Sequence, residues 1–185
     1  MPINLEEVER ALAEADCLAD AASVEAALDS MAGEITARLA DTNPIVYTVM
    51  NGGLILAGRI LPRLPFPLEV GYLHATRYGH ALKGAMLDWR VRPTLDLRDR
   101  TVLVLDDILD EGHTLAAIID YLKAEGAREV LSAVLVHKEH GRKAYPGMRA
   151  DFTGLDIADR FLFGCGMDYK GYWRNAPGIY AVKGL

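Results

Sequence analysis

The chain has 185 residues, of which 51% are hydrophobic, a composition that suits one domain with a sizeable core and excludes a disordered chain. Its net charge of −6 argues against a general nucleic-acid-binding protein, and no apolar run approaches the length of a membrane span. The cysteines, Cys17 and Cys165, have neither metal nor redox spacing, and the acidic residues 1–13 lack a signal-peptide pattern. We therefore expect a cytoplasmic protein without nucleic-acid or membrane partners.

The first forty residues predict two helices. Asn4 followed by Glu7 is a variant of the capping box, and apolar residues recur at helical spacing after it. A second helix is predicted to start at Ser23, because apolar residues then follow the i, i+3, i+4 rhythm as far as Leu39. Such a stripe is typical of core or dimer packing, so we expect these helices to cover a sheet or to form part of a small hood.

A glycine-rich turn follows the first predicted core strand, which spans residues 45–50. The turn is Asn51-Gly52-Gly53, and a helix is predicted over residues 54–61. Glycine lets the backbone approach a ligand closely, and the N-terminus of a helix favours an anion. The turn is therefore either an anion-binding site or a simple tight turn.

The next predicted strand, residues 68–73, leads into a polar segment over residues 74–84. This segment contains Arg77, Tyr78 and two glycines and has no clear periodicity. A long connection of this kind is typical of a lid over a binding site, with a surface hairpin tip as the alternative. Residues 89–91 are predicted to belong to the strand that returns from it.

Two adjacent carboxylates, Asp106 and Asp107, follow the apolar run 102–105, which is rich in β-branched residues. The run is typical of a strand buried on both faces, as in a parallel sheet. The carboxylates stand where this strand is expected to end, and the position suits sugar hydroxyls or a hydrated Mg2+.

A short loop with Asp110, Gly112 and Thr114 separates these acids from a helix predicted over residues 115–123. Free backbone N–H groups in such a loop, together with the dipole of the following helix, favour a bound phosphate. Acids and loop together predict a pocket for a phosphorylated sugar. The alternative is an ordinary strand-to-helix turn in which one carboxylate caps the helix.

Lys138 stands just beyond a second buried-strand pattern, residues 129–137. Because the carboxyl ends of parallel strands face the ligand crevice of an α/β sheet, this lysine is a candidate ligand-binding residue. An exposed loop lysine is the alternative. His137 and His140 flank it, but no further ligand set accompanies them, which argues against a metal site. Another strand is predicted over residues 151–156.

Two stretches resemble those of a known enzyme family. Residues 102–114 resemble the phosphoribosyl-diphosphate (PRPP) signature of type I phosphoribosyltransferases: apolar residues, two acids, two apolar residues, then Asp-x-Gly-x-Thr. Residues 160–169 resemble the purine-binding segment of hypoxanthine-guanine phosphoribosyltransferases, and residues 171–174 continue the match. The resemblance, which covers residues 45–175, implies transfer of the 5-phosphoribosyl group from PRPP to N9 of hypoxanthine or guanine. The products would be IMP or GMP and diphosphate.

The resemblance also implies a role for each matching residue. Asp110 would act as general base, while Asp106 and Asp107 would bind the ribose hydroxyls of PRPP. The 5'-phosphate would be bound by Asp110, Glu111, Gly112, His113 and Thr114, and the diphosphate by Asn51, Gly52, Arg160 and Arg174. The purine would be bound by Lys138, Phe161 and Leu162. Arg77 and Tyr78 would belong to the lid, and Asp168 would coordinate the cofactor Mg2+.

Three positions depart from the family pattern. Asn51 stands where purine members often carry lysine, Arg77 replaces a serine before Tyr78, and Glu111 occupies a position more often held by threonine or a small residue. A carboxylate so close to a phosphate is repulsive unless it points to solvent.

The predicted fold is a mainly parallel twisted sheet with helices on both faces, the type I phosphoribosyltransferase fold. We expect one domain over residues 1–185, with a hood formed by about residues 1–40 and 150–185. The family is usually dimeric or tetrameric, so a homodimer or homotetramer is expected. The open alternatives are a transferase specific for xanthine, adenine or a pyrimidine, and a regulator that senses PRPP or a nucleotide on the same fold.

Overall fold

The computed structural model describes residues 4–77 and 87–184, which form an α/β structure with two sheets. The helices are α1 (Leu5–Ala13), α2 (Ala21–Leu39), α3 (Gly53–Ile60) and α4 (His113–Ala124). The strands are β1 (Asp16–Ala19), β2 (Ile45–Val49), β3 (Glu69–Arg77), β4 (Leu87–Val91), β5 (Thr101–Leu109), β6 (Glu129–Glu139), β7 (Phe152–Ala158), β8 (Leu162–Phe163) and β9 (Ile179–Ala181). Across these two described ranges, no helix combines the length and apolar character needed to cross a membrane.

The larger sheet has the strand order β4-β3-β2-β5-β6-β7, in which the β3–β4 pair is antiparallel and the other pairs are parallel. Side chains alternate along the central strand β5. Leu103 and Leu105 pack in one core cluster with α2 and α3, whereas Val102 and Val104 pack with α4 on the opposite face. Helices therefore cover both faces of a mainly parallel sheet, which confirms the predicted fold class.

The smaller sheet has the order β1-β9-β8 and joins the two ends of the chain. Its pairs are antiparallel, with Asp16 opposite Ala181 and Leu162 opposite the same residue on the other side. We refer to this sheet, α1 and residues 164–174 as the hood. The helix α2 contacts β7 and α3, so it lies on the larger sheet and is not counted as part of the hood.

The strand β5 is longer than the sequence pattern indicated. It continues to Leu109, so Asp106 and Asp107 lie within its last part and not beyond its end. Parallel pairing with β6 extends as far as Leu109 opposite His137, and this pairing keeps the polar residues extended. The following helix α4 begins at His113, two residues before the predicted start.

The second helix and the predicted lid also differ from expectation. The N-cap of α2 is Asp20, whose carboxylate accepts a hydrogen bond from the Ser23 backbone N–H (2.8 Å), so the helix begins before Ser23. Residues 74–77 are not loop, because β3 continues to Arg77 and pairs with β4. The rest of the predicted lid, including Tyr78, lies outside the described residues.

The turn between β5 and α4 depends on Gly112. This residue has a φ of 83°, in the left-handed region that favours glycine, and its carbonyl accepts the first hydrogen bond of the helix from Ala116 (2.9 Å). A Cβ at this position would meet the side chains of Met148 and Leu109. The backbone path from the acids to the helix therefore requires glycine.

We predict that Gly112→Ala lowers the free energy of unfolding by about 1–3 kcal/mol, because the new side chain meets both an unfavourable φ and packed neighbours. Denaturant unfolding followed by circular dichroism measures this change. Gly141→Ala is the matched control, since no atom lies within 4 Å of its added Cβ and its φ is not in the left-handed region. Equal stability losses in the two variants would contradict the requirement.

Candidate active site

The last part of β5 carries Asp106 and Asp107 side by side. The backbone N–H of Asp107 donates to the Asp106 carboxylate (3.0 Å), and that of Ile108 donates to the Asp107 carboxylate (2.9 Å). Burial, followed by the charge of Asp107, raises the pKa of Asp106 well above its usual value, and burial also raises the pKa of Asp107. The pair is therefore short of hydrogen-bond donors and positive charge, which a polyhydroxylated ligand or a cation would supply.

The turn between β2 and α3 lies directly against these acids. A Cβ at Gly52 would meet the Asp107 carboxylate, so this close approach of backbone to side chain needs glycine. The Met50–Asn51 peptide bond is cis, and the side chain of Asn51 is exposed. The structure thus brings the predicted diphosphate turn and the predicted ribose acids together.

Arg174 joins the hood to the same acids. Its guanidinium donates to the Gly166 carbonyl and to the Asp168 carboxylate, and one of its nitrogens lies 3.9 Å from an Asp107 oxygen. Asp168 also accepts from the Gly171 backbone N–H (2.7 Å). Arg174, predicted to bind diphosphate, and Asp168, predicted to bind Mg2+, therefore form an ion pair with each other.

Arg160, also predicted to bind diphosphate, contacts a different part of the hood. Its guanidinium donates to the Asp16 carboxylate (2.9 Å) and to the Val182 carbonyl (3.0 Å), next to the β1–β9 pair. These contacts connect the segment before β8 to the N-terminal strand. The diphosphate role of Arg160 stays a prediction.

Asp110, the residue after β5, contacts Lys138 in the last part of β6 and His140 just after that strand. The Lys138 ammonium donates to its Oδ2 atom (3.1 Å) and lies 3.3 Å from Asp159, while the His140 Nε2 atom lies 2.7 Å from Oδ1. Partial burial opposes ionisation of Asp110, but the hydrogen bonds from His140 and Lys138 outweigh it, so the pKa of Asp110 lies below its usual value. Two predicted site residues are thus in contact, together with a histidine that no sequence pattern assigned to the site.

In the predicted phosphate loop, residues 110–114, the unexpected carboxylate of Glu111 is not enclosed by the protein. That side chain is half exposed, and its carboxylate lies 3.7 Å from the His113 imidazole. The Glu111 carbonyl accepts from the Ala144 backbone N–H (2.7 Å), which fixes the loop against the segment after β6. The helix α4 begins at His113 and Thr114, so its first N–H groups lie at the end of this loop.

Phe161 offers an exposed aromatic face beside β8. Its side chain is 46% exposed, and its ring packs edge-on against Tyr169, with 6.1 Å between ring centroids. The next residue, Leu162, is buried in β8. A large exposed ring held by another aromatic residue is suited to stacking on a flat apolar ligand.

The helix α1 supports this aromatic pair, a role that its sequence did not reveal. Tyr169 donates its hydroxyl hydrogen to the Glu7 carboxylate (3.0 Å), Lys170 pairs with the same carboxylate, and the Trp173 indole N–H donates to the Val8 carbonyl (2.6 Å). These partners are more than 160 residues apart in sequence, so no local pattern indicates them.

Paired acids, a glycine turn, the predicted phosphate loop and a lysine thus meet at the carboxyl edge of one mainly parallel sheet. This arrangement is typical of α/β proteins that bind phosphorylated sugars or nucleotides in the crevice beyond the strand ends.

A family model described as the phosphoribosyl transferase domain matches residues 14–170. The hypoxanthine-guanine phosphoribosyltransferase of Bacillus subtilis is 27% identical over 162 residues, which are 86% of this chain and 88% of that protein. The protein of the same name from Aquifex aeolicus is 30% identical over 155 residues, which are 83% and 86% of the two chains. A crystal structure of a Staphylococcus aureus hypoxanthine phosphoribosyltransferase has a TM-score of 0.83 at 20% identity, with 91% of each chain covered. The chain therefore belongs to the phosphoribosyltransferase family, with hypoxanthine-guanine phosphoribosyltransferases among its relatives, as the sequence resemblance predicted.

We predict that Asp106→Asn raises the melting temperature of the ligand-free protein at pH 8. A folded pKa above the unfolded value means that ionisation destabilises the fold, and this loss grows as pH rises from about 3.9 through the folded pKa. Asparagine keeps the acceptor for the Asp107 N–H and removes the charge. The gain in melting temperature should disappear near pH 4, because Asp106 itself is then uncharged in the folded protein. Thermal unfolding at both pH values measures it.

Asp156→Asn is the control of opposite sign, because hydrogen bonds from Arg149 lower the pKa of Asp156. It should lower the melting temperature at pH 8. An Asp106→Asn protein that melts below the unmodified protein at pH 8 would contradict the assignment of an uncompensated charge.

Proposed function

We propose that the protein transfers the 5-phosphoribosyl group from PRPP to N9 of hypoxanthine or guanine, giving IMP or GMP and diphosphate, in cytoplasmic purine salvage. The observation that carries the proposal is the contact between Asp110 and Lys138 at neighbouring strand ends. It puts a carboxylate that can accept a proton next to a cation that can donate to an exocyclic oxygen.

PRPP fits the remaining groups as an anion with a polar sugar. The ribose hydroxyls would donate to Asp106 and Asp107, each of which accepts a backbone N–H but carries a buried charge that is not offset in the ligand-free protein. The 5'-phosphate would take the free N–H groups of the loop 110–114, and the diphosphate would take the turn at Gly52 and the guanidinium of Arg174.

The reaction develops positive charge at the anomeric carbon while negative charge grows on the departing diphosphate. The carboxylates beside the ribose favour the cationic sugar, and Arg174 favours the anion that leaves. Asp110 would accept the N7 proton of the purine as N9 attacks. When Lys138 turns from Asp110 to the purine C6 oxygen, Asp110 loses a donor and becomes a stronger base.

Mg2+ is the proposed cofactor, and the donor set is compatible with it. Proteins often hold Mg2+ through one or two carboxylates, with substrate phosphate oxygens and water completing the shell. Within residues 4–77 and 87–184 no three His, Cys, Asp or Glu side chains are grouped for a metal, so an ion would depend on PRPP oxygens together with Asp168. Bound there, it would neutralise charge on the diphosphate.

We also propose a single domain with a hood and assembly into a homodimer or homotetramer. Val70 and Tyr72, which share one face of β3, are 56% and 53% exposed, and such exposure of large apolar side chains favours an interface between copies.

The test of the proposed function is a panel of free bases, each supplied with PRPP and Mg2+ while diphosphate release is followed. We predict turnover with hypoxanthine or guanine that exceeds turnover with adenine and with pyrimidines. Preference for xanthine would move the assignment to another transferase, because contacts at C2 distinguish these bases. No turnover of any purine would contradict the enzymatic function.

We predict that Lys138→Ala selectively weakens oxopurine recognition, by roughly 5- to 150-fold, because an unmatched buried polar group costs about 1–3 kcal/mol. The measurement compares the KM for hypoxanthine with the inhibition constant of adenine. Arg142→Ala is the control, since Arg142 also pairs with Asp159 (2.8 Å) but its side chain does not bond to Asp110. Unchanged discrimination in Lys138→Ala would refute the assignment.

A further inference from the structure

The loop after β6, residues 140–143, contacts Asp110 at the carboxylate oxygen that Lys138 does not bind. The His140 side chain is only 4% exposed, and its Nε2 atom lies 2.7 Å from Asp110 Oδ1. Its other ring nitrogen, Nδ1, accepts a hydrogen bond from the Arg142 backbone N–H (3.1 Å). Because a neutral imidazole has one donor and one acceptor nitrogen, this bond fixes the tautomer that carries its proton on Nε2.

We propose that His140 is a positioning residue that fixes the Asp110 carboxylate through Oδ1 and leaves Oδ2 as the oxygen that takes the purine proton. This inference rests on the proposed function and adds to it the residue that orients the base. Lys138 occupies Oδ2 in the ligand-free protein and must leave it to reach the purine. His140 then keeps the carboxylate from rotating at the moment when its second partner departs.

The backbone on both sides of this contact is also fixed. The Lys143 ammonium donates to the carbonyls of Leu109, Asp110 and Lys138, at 3.1, 2.5 and 2.6 Å. Lys143 therefore ties the end of β5 to the end of β6, while His140 acts on the side chain of Asp110. The two effects are separate, and only the second should change the protonation of the base.

The charged and titratable groups around Asp110 come from three segments. Glu111 and His113 follow it on its own loop, Lys138, His140, Arg142 and Lys143 come from β6 and the loop after it, and Asp159 comes from the segment after β7. Among the groups with a side-chain bond to Asp110, His140 and Lys138 are the donors. Loss of either donor is expected to make the carboxylate easier to protonate.

The experiment compares the pH dependence of kcat/KM for hypoxanthine in the unmodified protein and in His140→Phe and His140→Gln. Phenylalanine fills the buried space without a donor, so we expect kcat to fall roughly 10- to 100-fold and the acidic limb to move to higher pH, with little change in the KM for PRPP. Glutamine can donate from its own Nε2 atom, so it should restore much of kcat and the position of the acidic limb.

Asp110→Asn separates failure of this inference from failure of the proposed function. We expect it to lower kcat by roughly 10²- to 10⁴-fold. If Asp110→Asn is as active as the unmodified protein, the base assignment itself is wrong. If Asp110→Asn is impaired while His140→Phe keeps its kcat and its acidic limb, only the role of His140 is wrong. Equal losses of kcat and PRPP binding in His140→Phe would indicate a merely structural role.

A second measurement does not depend on how the variants fold. In the unmodified, ligand-free protein, 15N NMR of the imidazole rings should find His140 protonated at Nε2 and unprotonated at Nδ1 at pH 8. A ring protonated at Nδ1 and not at Nε2 would overturn the proposal, since the Asp110 contact would then lack its hydrogen.

Discussion

The parallel pairing of β5 with β2 on one side and β6 on the other is the constraint on which the site depends. Thr48 of β2 lies opposite Leu105, so the glycine turn after β2 meets Asp107. Leu109 lies opposite His137, so the residue after each of them, Asp110 and Lys138, meets its counterpart. Parallel strands place their carboxyl ends at the same edge, and a change of register would separate these pairs.

This edge carries an electrostatic cost that the ligand-free protein only partly offsets. Burial disfavours the charges of Asp106 and Asp107, and Arg174 approaches Asp107 no closer than 3.9 Å because Asp168 and the Gly166 carbonyl hold its guanidinium. Such sites reduce stability in exchange for binding, since the groups that would neutralise them come with the ligand. Asp110 differs, because His140 and Lys138 already satisfy both of its oxygens.

The parts of the structure that the sequence could predict are those with a local physical cause. Short-range patterns mark the apolar run before Asp106, the glycine at position 112, where φ is left-handed, and the alternation of strands with helices. The hood strands do not, because β1 is mostly exposed and its partner β9 lies at the other end of the chain. For the same reason no pattern pointed to the support of Tyr169 by Glu7, or to the bond between His140 and Asp110, which depends on register and loop path.

The register of β5 brings Asp106, Asp107 and Asp110 to one edge of the sheet, where we propose that the first two bind ribose and the third acts as base on the same substrate. A crystal structure of the protein with PRPP and Mg2+ tests this most directly. We expect ribose hydroxyls within hydrogen-bonding distance of Asp106 and Asp107 and the 5'-phosphate on the backbone N–H groups of residues 110–114. If PRPP binds with its ribose away from both acids, or with its phosphate outside that loop, these residues do not form the PRPP site.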